Sequence, residues 1–206
     1  MDASKTLAEF KEKVDPEIEK YFNRVIREAE GKDAIIAEAL RYVRKIILAG
    51  GKRLRPAFMY YGYLAAGGRE REKIIKTSIG IELIHAFLLI HDDIIDKDEK
   101  RHNLDTVNFR YEKLGKKFFR RENPGHFGNS MAIIFGDMVA AMGNQIVFSS
   151  DFSPALVVKA LHKLQTIISA TVVGQAKDIY MEYKQFTRSM NSYVICKTTK
   201  RINFIK

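Results

Sequence analysis

The sequence predicts an all-α fold, an antiparallel helical bundle, on three observations. Apolar residues recur at helical spacing through most of the chain. The only four prolines, at 16, 56, 124 and 154, fall where a helix starts or a loop ends. No alternating run flanks an Asn-Gly or Asp-Gly pair, so the hairpin signal is missing. Taken in order, the first helices are expected over Pro16 to Glu30 and Asp33 to Ala49, with Asp33 as N-cap and Gly50-Gly51 as the stop. A short buried helix follows from Pro56. Arg69 to Asp96 then carries apolar residues at 74, 75, 79, 81, 83, 84, 87, 88 and 90, a pattern that widens to all-round burial and marks a central helix. Residues 97 to 126 hold nine Lys or Arg and five Asp or Glu and end in Asn-Pro-Gly, which reads as a loop region with a helical turn or two. Helical patterning resumes over Phe127 to Ser149. Ser153 and Pro154 open a long helix to about Tyr183, and Thr187 or Ser189 begins another.

With 46% hydrophobic and 29% charged residues in 206, the chain is expected to form one globular domain, 1–206, without internal repeats or low-complexity tracts. Thirty-five Lys and Arg against 25 Asp and Glu leave +10, which favours anionic partners. Nucleic acid is not expected among them, because no zinc finger or aromatic-basic recognition motif is present. Cys196 is the only cysteine, so no internal disulfide forms and a cytoplasmic location is the default. The first twenty residues lack the apolar core of a secretory signal. His85, His91 and Asp92 break the longest apolar run, so a soluble protein without a spanning helix is expected.

Two segments carry chemistry. His91-Asp92-Asp93-Ile94-Ile95-Asp96 ends the apolar helix. There Asp92 and Asp96 lie four residues apart and Asp93 and Asp96 three, so their carboxylates share a side one turn apart. This is the C-terminal end, where the macrodipole already disfavours anions, so the crowding is costly unless cations neutralise it. Mg2+, which takes a few carboxylates together with water and phosphate oxygens, suits the spacing. A solvated acidic helix end accounts for the same residues less chemically. The second segment, Gly50-Gly51-Lys52-Arg53-Leu54-Arg55-Pro56, places three cations after two glycines. Glycines let a backbone turn tightly, and Lys and Arg grip phosphate. The segment lacks Walker spacing, and read alone it is equally a helix stop with a basic turn.

Together with their sequels these segments are recognisable. GGKRLRP, ELIHAFLLIHDDIID followed by KDEKR, GNSMAIIFGDM, VVGQAKDIY and YVICKTT, in that order, resemble the trans-isoprenyl diphosphate synthases, the polyprenyl synthetase family, from about residue 35 to the end. The resemblance implies an isoprenoid synthase-like bundle around a central cavity, here the N-terminal two-thirds of the family domain and incomplete at the C-terminus. It implies a Mg2+-dependent prenyltransferase that condenses an allylic diphosphate with isopentenyl diphosphate, usually as a homodimer. By matching position, Asp92 and Asp96, supported by Asp93, would hold the metal. Lys52, Arg55 and His85 would contact isopentenyl diphosphate, and Arg101, Lys197 and Thr198 the allylic diphosphate. Asp92, Asp96, Arg101 and Lys197 form the implied catalytic set, and Gln175 and Asp178 would line the cavity. Phe87, five residues before Asp92, matches a position where bulky side chains limit product length, which implies farnesyl to geranylgeranyl products that partition to a membrane.

The pattern departs from the family in two places. After Arg101 stand His102 and Asn103 where a second arginine and a glycine are usual, and Asp105 replaces a frequent proline. Neutral imidazole grips phosphate less strongly than guanidinium. The family's second aspartate-rich motif is also missing before Lys206. The expectation is therefore a fragment of a longer enzyme. The alternative is an inert diphosphate-binding chain, or one completed by a partner chain.

Overall fold

A computed structural model describes residues 2–118 and 123–184. Among them it shows seven helices: α1 Ala3–Glu30, α2 Ala34–Leu48, α3 Leu54–Ala65, α4 Arg71–Ile95, α5 Val107–Phe118, α6 Pro124–Phe148 and α7 Pro154–Tyr183. Strands β1 Lys100–Arg101 and β2 Leu104–Asp105 form a small antiparallel hairpin between α4 and α5. The all-α expectation is borne out. The chain divides into two compact units, residues 1–151 and 152–206.

α1 begins thirteen residues earlier than the sequence predicts and carries Pro16 inside it. Phe10, Val14, Ile18, Phe22 and Ile26, all buried, repeat every four residues and form one unbroken stripe. That stripe outweighs the hydrogen bond lost at the proline, whose ordinary cost inside a helix is about 3 kcal/mol. Asp2 caps the helix by accepting from the Ser4 backbone N–H. α2 starts as predicted, with Asp33 accepting from the N–H groups of Ile35 and Ile36. In α3, Pro56, Ala57 and Tyr60 are buried while Phe58 is 75% exposed, so only one side of that helix is core.

α4 is central in the first unit and packs on α6, α3, α1 and α5. Its crossing with α6 needs two glycines. A Cβ at Gly80 would lie 2.6 Å from the Gly143 carbonyl oxygen, and one at Gly143 2.8 Å from that of Gly80. The backbones therefore touch, and Leu83 of α4 and Phe135 and Val139 of α6 are fully buried.

The region expected to be a loop is mostly ordered structure. His102 and Asn103 both have positive φ, 51° and 63°, as a two-residue turn between paired strands requires. Asn tolerates this conformation, which is how the chain turns without the glycine the family usually has there. Asn123 caps α6 by accepting from the His126 N–H, with Pro124 in the first turn, so Asn-Pro-Gly starts a helix.

In the second unit, α7 runs from Pro154 to Tyr183 as predicted. The further helix expected from Thr187 or Ser189 lies outside the described residues. One expectation is corrected. By length and composition α4, α6 and α7 are each apolar enough to cross a membrane, with mean hydropathies of 1.5, 1.5 and 1.3 over their most apolar stretches. Isolated polar residues such as His85 and His91 end an uninterrupted run, but they do not lower an average over a whole helix far enough.

Candidate functional site

The acidic end of α4 is organised by one salt bridge. Asp93 is 2% exposed, and Arg101 of β1 donates to it from Nε, at 2.9 Å to Oδ1 and 3.2 Å to Oδ2, and also from Nη2. Burial pushes the Asp93 carboxyl up from its ordinary value, and the Arg101 hydrogen bonds pull back against that rise. Burial lowers Arg101 as well, but the bond to Asp93 and the charges of Asp93, Asp98 and Asp92 outweigh it and leave Arg101 raised. The backbone closes the same corner. Asp96 N–H donates to Asp92 O at 2.8 Å, Asp98 N–H to Asp93 O at 2.9 Å, and the buried Thr106 hydroxyl to Asp98 O at 2.7 Å. The Asp105 carboxylate joins Lys100 and ties the hairpin to Lys113 of α5, and Tyr42 of α2 donates to the Asp105 backbone carbonyl at 2.7 Å.

The three aspartates therefore divide. Asp92 is half-exposed and Asp96 exposed, on consecutive turns, while Asp93 is turned inward and occupied by Arg101. Two hard oxygen donors reaching solvent fit Mg2+, which completes its octahedron with water and phosphate oxygens. Among the described residues no three His, Cys, Asp or Glu side chains converge into a full protein cage.

The basic turn lies against this corner. Gly51 has φ +93°, open to glycine, and Arg53 φ +54°. A Cβ on Gly50 would collide with the His102 ring, so the hairpin tip rests on the glycine pair. One hollow of about 60 Å3 is lined by Gly50, Gly51 and Arg53 of the turn and by Glu82, His85, Leu89 and Asp93 of α4, and Arg101 and His102 close it. Each sequence motif thus contributes to one hollow, walled by Val43, Ile46 and Ile47 of α2, but of the three aspartates only Asp93 lines it and Asp92 and Asp96 do not.

Not every predicted residue lines it. Lys52 is exposed beside it, and Arg55 is half-buried, with burial lowering its pKa and the charge of Glu82 opposing that. Phe87 faces another way. Its ring meets His91 edge-on at 5.1 Å, and His91 in turn reaches Asp137 of α6 at 3.6 Å. Gln175 and Asp178 are half-buried, one turn apart on α7. Lys197 and Thr198 lie outside the described residues. A larger open groove, about 970 Å3, runs between α1, the start of α4 and the end of α6 and contains none of these residues. The sequence reading passed over Arg53 and Glu82. Three neighbouring cations look alike in sequence, and only the left-handed φ at Arg53 shows which one turns inward.

Comparison with known proteins bears on the family. The chain is 34% identical over 142 residues to a geranylgeranyl pyrophosphate synthase of Geoglobus acetivorans, covering 69% of this chain and 39% of that one. It is 29% identical over 187 residues to a short chain isoprenyl diphosphate synthase of Methanocaldococcus jannaschii, covering 89% and 46%. The crystal structure of a geranylgeranyl pyrophosphate synthase from Corynebacterium glutamicum, complexed with isoprenyl diphosphate and magnesium, superposes with a TM-score of 0.77 at 28% identity, covering 89% of this chain and 52% of that one. The chain thus spans less than half the length of these two curated relatives. The model of the polyprenyl synthetase family matches residues 34–203, and the chain belongs to that family.

Proposed function

We propose that the chain acts in a Mg2+-dependent prenyltransferase that joins an allylic diphosphate to isopentenyl diphosphate and makes products of the farnesyl to geranylgeranyl class. The observation that carries this reading is the hollow shared by the Gly50–Arg53 turn and the Asp93–Arg101 corner, in a chain of this family. Asp92 and Asp96 would hold the metal, which supplies positive charge to a departing diphosphate. Arg101 is held by Asp93 with part of its guanidinium still exposed, so it stays charged and fixed where leaving-group charge develops. Lys52, Arg55 and His85 bind the second diphosphate, and preorganised cations favour the charge-separated state over the ground state. Leu88, Leu89 and Ile90 give an apolar wall that keeps water from a carbocation. Asp93 serves as the anchor of Arg101 in this reading.

The names of the similar proteins support the short-chain class. The single cysteine suits a reducing cytoplasm. Exposed Ile133 and Ile134 on α6 offer apolar surface for a homodimer. Incubation of the chain with labelled isopentenyl diphosphate, an allylic primer and Mg2+ should give labelled product of fifteen to twenty carbons. No product at high protein concentration overturns turnover by this chain.

A further inference from the structure

Arg53 is 3% exposed, and every one of its guanidinium nitrogens has a partner. Nε donates to Asp15 Oδ1 at 2.6 Å, Nη1 to Glu82 Oε1 at 2.7 Å and Nη2 to the Ile47 carbonyl at 2.8 Å. These acceptors come from α1, α4 and the end of α2, so one side chain ties three helices to one turn. As the residue before α3, Arg53 forms no side-chain cap, and its φ of +54° sends the side chain inward instead. The turn closes on that side chain, since a Cβ at Gly51 would lie 3.1 Å from Arg53 Nη1. Left-handed φ in a non-glycine residue costs about 1 kcal/mol or more and persists where the surroundings over-determine it. Here the two carboxylates and the carbonyl do so. Glu82 stands one turn before His85 on the same hollow, and Asp15, also paired with Lys11, comes from a helix that precedes the matched residues 34–203.

We infer that Arg53 is a positioning residue of the diphosphate site and that Asp15 and Glu82 complete its clasp, so that α1 helps to set the affinity of a site it does not line. The inference rests on the reading of Lys52 and Arg55 as diphosphate contacts. Arg53 itself is 3% exposed and already bonds a protein acceptor from each of its three nitrogens. It fixes the backbone on either side of itself, which presents Lys52 and Arg55 with less conformational freedom to lose on binding. A lysine in its place keeps the charge but cannot serve three acceptors in a plane.

Hydrogen exchange and calorimetry on the 206-residue chain test this together. Arg53→Met and Asp15→Asn are each expected to speed amide exchange across residues 47–56 about tenfold while leaving α5 and α6 unchanged. At a temperature where circular dichroism shows the variants folded, the Kd for isopentenyl diphosphate should rise about tenfold in Arg53→Met and less in Arg53→Lys. Adding Arg53→Met to Lys52→Ala should weaken binding by less than adding it to the wild type, because Arg53 acts in part through that neighbour. Unchanged exchange in the turn, or losses that simply add, overturns the positioning role. Asp15→Asn removes the charge from only one of the three contacts and decides the matter if Arg53→Met does not fold. A wild-type chain that binds no isopentenyl diphosphate overturns the diphosphate reading instead, and the exchange data then report separately on the clasp.

Discussion

α4 and α7 are alike as sequences and opposite as structures. Each is apolar enough to cross a membrane, yet 56% of the most apolar stretch of α4 is buried and only 11% of that of α7. α4 is held by α6 through the Gly80–Gly143 contact and closed at its acidic end by Arg101. On α7, Leu156, Val158, Ile167, Val172 and Val173 are all exposed. Apolar composition therefore does not say where energy is stored in this molecule. Contact does, and the site residues on α4 sit on a helix that is fixed along its length.

The largest expected effect tests that difference. Leu83→Ala, at a fully buried position of α4, should cost about 2–5 kcal/mol in denaturant unfolding. A loss below 1 kcal/mol would mean that the α4 core is loosely packed. An intermediate effect belongs to the hairpin that closes the acidic end of α4. The Lys100 hydrogen bond, aided by Lys113, holds the Asp105 carboxyl below its ordinary value of 3.8. Its stabilising contribution is therefore complete above that value and drains away as pH falls through the lower folded value. Asp105→Asn should melt below wild type near neutral pH, and the two curves should converge in acid. A constant gap down to acid pH would show that these ion pairs contribute nothing. The smallest effect is expected on α7, where Ile167→Ala, at a position 53% exposed, should change stability by about 0.5 kcal/mol or less. A loss as large as that at Leu83 would erase the contrast between the two helices.

The long apolar helices and the acidic end of α4 were legible because period and like-charge crowding are local signals. What escaped the sequence reading depends on partners distant in sequence. Pro16 reads as a start until the stripe from Phe10 to Ile26 is seen to bury as one face. α5 was hidden by its charges, although Val107 and Tyr111 stand one turn apart and are buried. Asp92 and Asp93 are indistinguishable as letters. One reaches solvent and the other meets Arg101 because the hairpin folds back over only one side of the helix end. His102 stands where an arginine was expected, and it rests on Gly50, where a Cβ would have excluded it.

The central claim is that the basic turn and the acidic end of α4 form one site that takes a diphosphate together with Mg2+. Calorimetric titration of inorganic pyrophosphate into the chain, with and without Mg2+, tests it most directly. Mg2+ should strengthen binding at least about tenfold in the wild type and should lose that effect in the Asp92→Ala, Asp96→Ala double variant, whose fold should persist because both side chains reach solvent. Equal binding by the double variant and the wild type in the presence of Mg2+ would contradict the claim.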